Sequence, residues 1–593
     1  MTRARLLFSV ALAATAPTAA AVCGCDVGGT VAGGGADGGE AEGGGDATMQ
    51  GRDGSPSFEA ALPVEAGPDA RLDAASDAGA DGSPEAGGGG SEAGGDAGPE
   101  AGADAGPPAP GASVLQLHNH VNRDGFFVDP LLTETAAAAF HLDTTFSARF
   151  PDRVWASPLY VDRGGGHGTF FVATAGDVLH AFDETGASVW PAKSFGTPAD
   201  HTGAGCGNVQ PIGITGTPAI DLATGLIVFD AVTGDSTGAI ATHTIYGVSI
   251  GDGSTRWSVD VSTLHDATGL AFSPQPQNQR GGVLIVNGVA YVVYGGHAGD
   301  CGVYHGWVVG APLSGTGVRA WATSIQGAGI WAPGGAASDG ESVFVATGNG
   351  FGGSATMWQG SEGIMRLDPG PSFTGQPADF FTPSNFDQLD ALDDDISGCS
   401  PLVIDAPAVT PSALVMAQAK NGWLYLVDRS NLGGIASGPT TANVGAAPIS
   451  TGPLSGANAW ATVGGVTTVV VRPNSRQPGF ACPTGTTGDL VAVRLDPTQP
   501  GKMVTAWCAD SGGNGSPIVT SSDGTRDGLV WVLGAEGDGA LHAFRLADGA
   551  PVVTTAALPL GPGDYARHFT TLAAVHGRIF AVADGGLYAF TAQ

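Results

Sequence analysis

From about residue 113 to the end, apolar and polar residues alternate in short runs, and most runs open on a glycine or a polar residue. One such pattern returns eight times, with copies starting at Asp177, His243, His305, Glu362, Gly422, Gly488, Gly539 and Gly585. The first reads Asp177-Val-Leu-His-Ala-Phe-Asp183 and the last Gly585-Gly-Leu-Tyr-Ala-Phe590. Self-similarity at a period of tens of residues marks a repeat architecture. Short strands joined by glycine turns and repeated in this way predict a β-propeller.

Each repeat reads as successive strands. In the first, residues 154–161 form an inner strand, 169–174 and 177–182 the next two, and 187–190 the start of an outer one. Alternation and the turn at 183–186 support these strands. Inner strands are expected to begin near Gly213, Gly281, Ala332, Ser400, Ala459, Ser516 and Thr570 in the later repeats. The fold class is therefore all-β, an eight-bladed β-propeller of four-stranded antiparallel blades. The last repeat stops at Phe590 without an outer strand, and residues 144–150 have outer-strand character. This N-terminal segment is expected to close the ring and remove an exposed sheet edge. Trp190, Trp257, Trp321 and Trp507 fall at equivalent outer-strand positions. Packing between blades accounts for them better than a ligand platform does.

The N-terminus changes the picture outside this domain. Met1-Thr-Arg-Ala-Arg5 followed by a short apolar run and small residues has the form of an export signal over 1–25. The run is too short to span a bilayer, which takes about 20 residues. Val22-Cys-Gly-Cys25 resembles a bacterial lipobox with Cys25 as the lipidated residue. A plain secretory signal is the alternative. Residues 26–112 are almost entirely Gly, Ala, Asp, Glu, Pro and Ser, with acidic residues far outnumbering Arg52 and Arg71. Such a segment lacks the apolar surface to offset its ordering entropy, so a disordered acidic linker is expected, with the propeller at 113–593. The net charge of −33 leaves no footprint for nucleic acid or anionic lipid, and membrane contact is expected only through the lipid.

Of the 7 cysteines, five fall in the propeller. Export permits disulfides, and an odd count leaves one thiol over. Cys482 and Cys508 share a repeat and Cys206 and Cys301 come from neighbouring repeats, so these are the expected pairs; Cys399 is then free and buried.

Asp183-Glu-Thr-Gly-Ala-Ser-Val-Trp190 resembles the tryptophan-docking repeat of quinoprotein-type propellers. His118-Asn119 with Asn122-Arg123, Gly213-Ile-Thr-Gly-Thr-Pro218, Gln277-Asn-Gln-Arg280, Tyr304-His-Gly-Trp307, Gly329-Ile-Trp331, Ala346-Thr-Gly-Asn-Gly350 and Phe381-Thr-Pro383 are similar to stretches of exported bacterial pyrroloquinoline-quinone-like propeller repeat proteins, quinoprotein alcohol dehydrogenase-like in fold. The resemblance implies the propeller fold, and for the enzymes of the wider group a quinone (PQQ) and Ca²⁺ at the channel mouth, an adjacent-cysteine disulfide and an aspartate base. This chain has no Cys-Cys pair and no Cys-x-x-Cys-His haem motif.

Candidate chemistry lies between the copies. Gln277, Asn278, Gln279 and Arg280 lead into an inner strand, where amides and a guanidinium suit a carboxylate, sugar or quinone. Inter-blade hydrogen bonding is the competing role. His305, Trp331 and Asn349 are candidates for the same mouth, with Trp331 able to stack on a planar ligand. Asp393 and Asp395 have a spacing that puts two carboxylates on one side of an extended segment, as Ca²⁺ would need; a solvated acidic loop is the alternative. The His118-x-His120 pair lies near the flexible start of the domain, where no zinc site is expected. No nucleophile elbow, phosphate loop or zinc-protease motif occurs.

These readings favour a non-catalytic, monomeric propeller at the bacterial cell envelope. It would bind an envelope protein or a small molecule and need no cofactor. The alternative is a PQQ- and Ca²⁺-dependent oxidoreductase acting on an alcohol or sugar. The anchor is directly testable: a labelled lipid precursor is expected to mark the wild type and not Cys25→Ser. An unlabelled wild type would leave a plain secretory signal.

Overall fold

Eight small antiparallel sheets follow one another along the chain. The computed structural model describes residues 113–200, 206–449, 456–472 and 482–593; the segment 1–25 with Cys25 and the linker 26–112 lie outside the described residues. Blade 1 pairs Leu159–Asp162, Gly168–Thr174, Val178–Phe182 and Ser188–Ser194 in sequence order. Its third strand carries the recurrent pattern. The pattern returns in the third strands Ile240–Ser249, Trp307–Pro312, Gly363–Leu367, Trp423–Asp428, Leu490–Leu495, Leu541–Arg545 and Gly586–Thr591. Middle strands such as Leu529–Leu533 are buried along their whole length, because each sheet is sandwiched between two neighbours. Alternating residues therefore face two apolar layers. Val530 and Val532 pack toward blade 6, while Leu529, Trp531 and Leu533 pack toward blade 8.

Ring closure is as expected, in two pieces. His141–Leu142 and Ala148–Arg149 both pair antiparallel with Gly586–Thr591, giving blade 8 its outer strand. The outer-strand tryptophans pack between blades. Trp257 donates its indole N–H to Leu313 O of blade 3, and Trp507 donates to Leu546 O of blade 7, each at 2.8 Å. A Cβ on Gly315 or Gly549 would strike these indoles, so the turn glycine of the next blade is the seat of each ring. Both disulfides, Cys206–Cys301 and Cys482–Cys508, are formed, and Cys399 is free and buried.

The inner strand of blade 6 begins at Ala459 as expected, while the others begin later than the sequence pattern suggests. Blade 1 pairs from Leu159 rather than Val154, and blade 4 from Ala337 rather than Ala332. The preceding residues bond sideways to other blades instead of to their own sheet. Ser157 N donates to Thr217 Oγ1 of blade 2 (2.8 Å), and Thr571 N of blade 8 donates to Ser157 Oγ (2.9 Å). Crowding at the axis makes these lead-in segments a ring of their own.

The largest addition is at residues 114–129, the start of the domain, to which the sequence pattern assigns no strand. They wind through the axis. Val114 O accepts from Tyr160 N, Leu115 O from Ile220 N, Val121 O from Ser338 N, Asn122 O from Val403 N, Asp124 O from Trp460 N and Gly125 O from Val519 N. These donors belong to blades 1, 2, 4, 5, 6 and 7. Phe126–Val128 then adds a parallel strand to the inner edge of blade 7, and Asp129 takes Gly577 N of blade 8. Blade 3 is reached by the Arg123 side chain, which donates to Gly282 O and Val283 O, and also to Leu117 O and Ala336 O. Left-handed backbone at His118, Asn119, Arg123 and Gly125 lets so short a segment coil. His118 is accordingly buried in the axis rather than mobile, and burial lowers its pKa to about 4.

Arg123 is 1% exposed, and its fork serves carbonyls of three elements at once. A lysine has one nitrogen for the same acceptors, which would strand buried carbonyls. Arg123→Lys is expected to lose about 2–4 kcal/mol in chemical denaturation; wild-type stability would show the axial segment to be dispensable.

Candidate functional site

Lead-in segments from five blades meet at the axis. They bring together Trp155, Arg280, Trp331, Asp395 and Phe569. Arg280 of blade 3 lies over Trp331 of blade 4 (5.9 Å to the ring centroid) and over Phe569 of blade 8 (5.0 Å). Phe569 in turn neighbours Trp155, where the Arg567 guanidinium sits 4.4 Å from the indole. Cation and aromatic faces thus alternate across the mouth.

Asp395 is the centre of the other half. Its Oδ2 accepts the Trp331 indole N–H at 3.0 Å, and its Oδ1 accepts Asn349 N at 2.7 Å. The Lys420 ammonium lies 2.6 Å from Asp395, 2.8 Å from Asp393 and 5.3 Å from the Trp331 centroid. Burial raises the Asp395 pKa against the pull of Lys420. Glu362 is fully buried beside it, with Oε2 accepting Ile396 N at 2.8 Å, and desolvation followed by the Asp395 charge pushes its carboxyl well above the usual range.

The sequence candidates divide. Arg280, Trp331 and Asn349, candidates for the mouth, come together with Asp395, a candidate only for calcium. His305 does not join them: its Nδ1 bonds Thr323 O at 2.9 Å, at the outer strand of its own blade. Gln277 and Asn278 form a two-residue strand against Gly295 and Gly296, and Gln279 turns back to Gly281 O (2.5 Å). Only Arg280 of that quartet reaches the aromatic mouth. The acidic run is not an extended loop: Phe386–Leu392 is helical, Asp393 is its left-handed cap, and Asp393 and Asp395 share Lys420. Lys420 and Glu362 were not singled out as site residues. Lys420 sits in a hairpin turn that reads as surface, and Glu362 only opens a repeat copy.

Glu362 belongs to a wider device. The connection between the second and third strands of a blade repeatedly sends an acidic side chain to the next blade's lead-in. Asp177 packs against the Gly213–Ile214 backbone of blade 2. Asp489 accepts Ser511 N (2.9 Å), Glu536 holds His568 (2.7 Å) and Asp584 accepts Val154 N (3.0 Å). Blade 2 uses a buried Asp230–His243 pair, whose Nε2 faces Gln277 O at 3.2 Å. Much of the titratable ring is therefore inter-blade clasp. Unmet polarity also occurs among the lead-ins and hairpins. Gln277 Oε1, Asn278 Oδ1, both ends of the Gln418 amide, Ser397 Oγ and Glu362 Oε1 are buried without a protein partner among the described residues. They flank Arg280, Lys420 and Asp395 in sequence, and buried polar groups normally find partners.

No protein-family model and no curated protein matches the chain. Among solved structures, the fold is similar to quinohemoprotein alcohol dehydrogenase ADHIIG from Pseudomonas putida HK5, with TM-score 0.54 and 14% identity over 81% of this chain and 80% of that one. The quinohemoprotein alcohol dehydrogenase from Comamonas testosteroni gives 0.53 and 14%, over 82% and 81%. A europium-containing methanol dehydrogenase gives 0.51 and 13%, over 81% and 98%. The chain thus shares the quinoprotein-type eight-bladed propeller fold.

Asp177 supplies a test of the clasp. Burial, then the charge of Asp230, raises its pKa from 3.8 to about 8. The folded state therefore holds a proton that the unfolded state releases, so this contribution is complete below pH 3.8 and is lost as pH rises toward 8. Asn tolerates the left-handed backbone at this position and carries no charge. The melting temperature of Asp177→Asn should gain on the wild type between pH 5 and 8; a pH-independent difference would remove the buried proton.

Proposed function

We propose that this chain is an exported, lipid-anchored propeller that binds a planar, negatively charged small molecule at its axial mouth without transforming it. The observation that carries this reading is the Trp331 ring with two cations, Arg280 and Lys420, at 5.9 and 5.3 Å. A flat anion stacked on the indole would draw on the Arg280 charge, Lys420 being already paired with Asp393 and Asp395. The dehydrogenases of like fold make a quinone the first ligand to consider. A planar, carboxylated quinone such as PQQ suits this donor set in kind: Trp331 as platform, Arg280 as counter-charge. Calcium does not suit it, because Asp393 and Asp395 are held by Lys420 and no three His, Cys, Asp or Glu side chains converge among the described residues.

One observation favours a second reading, an oxidoreductase acting on an alcohol or sugar. Asp395 is a buried carboxylate oriented by the Trp331 N–H, the Asn349 amide and Lys420, with its pKa raised by burial. A carboxylate so placed can take the proton of a substrate hydroxyl. A bound quinone would supply the electron acceptor.

Titration of the full chain with PQQ, with and without Ca²⁺, separates the two readings. Expected are saturable tryptophan quenching, at least tenfold weaker binding by Trp331→Ala, no need for Ca²⁺, and no dye reduction with alcohols or sugars. Turnover abolished by Asp395→Asn would establish the second reading instead. Failure to bind PQQ or any other planar carboxylate would overturn the first.

A further inference from the structure

Beside the mouth, a cleft of about 440 Å³ opens between the loop 350–361 of blade 4 and the helix Phe386–Leu392. Its walls are Ile325, Phe351, Met357 and Phe386, and its charged groups are Asp387 and Asp390; no basic residue lines it. The volume is in the range of small-molecule sites. Met357 is 59% exposed at the rim.

Asp390 is fixed and electrostatically frustrated. Its Oδ1 accepts Gly350 N at 2.7 Å and its Oδ2 accepts Ser361 Oγ at 3.0 Å, so the carboxylate cannot swing to a better partner. The charged groups around it are Asp387 on its own helix, Asp395 beyond that helix and Glu362 next to Ser361. The nearby cation, Lys420, contacts Asp393 and Asp395. Neither Asp387 nor Asp390 forms an ion pair among the described residues. Burial first, then the Asp395 and Asp387 charges, push Asp390 up to about 6 against its two hydrogen bonds. A cation in the cleft would relieve this frustration.

The walls say which kind of cation. Two phenyl rings and a thioether favour a soft, weakly hydrated ion with an apolar body over a hydrated metal. We propose that this cleft binds an organic ammonium ion, with Asp390 and Asp387 facing the charged nitrogen and Phe351, Phe386 and Met357 covering the apolar body. The proposal is independent of the mouth ligand: it concerns a different cavity and an opposite charge.

The test is calorimetric titration of the full chain at pH 7.5 with benzyltrimethylammonium and with phenethylamine, using benzyl alcohol as the neutral control and CaCl₂ as the metal control. Expected are saturable binding of at least one ammonium probe, little heat from benzyl alcohol, and affinity at least tenfold lower at pH 5, where Asp390 is protonated. Asp390→Asn should weaken binding at least tenfold. Phe351→Ala, which leaves the Asp390 hydrogen bonds intact, should weaken it several-fold, so the outcome does not hang on one variant folding. Equal binding of benzyl alcohol, wild-type affinity in both variants, absence of saturable ammonium binding, or displacement of the probe by micromolar Ca²⁺ would each overturn the proposal.

Discussion

Eight inner strands converging on one axis leave eight backbone edges with nothing beside them, and every other feature of this propeller follows from satisfying those edges. Buried amides and carbonyls without partners are too costly to leave. The chain answers with its own first ordered residues. The segment 114–129 accepts from one inner strand after another, and the Arg123 and Asp129 side chains cover blades 3 and 8, which its backbone misses. Lead-in hydroxyls and hairpin carboxylates link several blades to their neighbours. The axis is thus filled with polar groups that are mostly spoken for.

That solution has a functional consequence. The axis is also where neighbouring blades are clasped together. There the clasps use acids and bases as fasteners, and a strongly shifted carboxyl is not by itself a sign of chemistry. Asp177 and Glu362 illustrate the distinction. Both occupy the same repeat position, both take a left-handed backbone where blades 5 to 8 carry glycine, and both reach the next blade. Only Glu362 stands beside a lysine, a stacking tryptophan and unpartnered polar atoms. Context separates fastener from site.

The quinoprotein-type propeller is shared with dehydrogenases at an identity that carries fold and not activity. In this chain Asp393 and Asp395 are tied to Lys420, and Arg280 and Lys420 both lie over the Trp331 ring.

The sequence by itself determined the blades. An eightfold apolar pattern, turn glycines and missing outer strand dictate eight sheets, N-terminal closure and tryptophan packing, because these depend on local period and nearest-neighbour contact. The disulfide pairs Cys206–Cys301 and Cys482–Cys508 followed from repeat proximity. The sequence also named Arg280, Trp331, Asn349 and Asp395, polar or aromatic residues at strand starts. It did not reveal the axial coil, the helix at 386–392 or the role of Lys420. Those depend on which lead-ins face one another across the axis, over separations of scores to hundreds of residues. His305 and Gln279 looked eligible for the mouth, yet nearer carbonyls claimed them, and the backbones of Gln277 and Asn278 joined the sheet. Only the tertiary structure decides such competition, since a polar side chain goes to the closest unsatisfied partner and the ring geometry sets that distance.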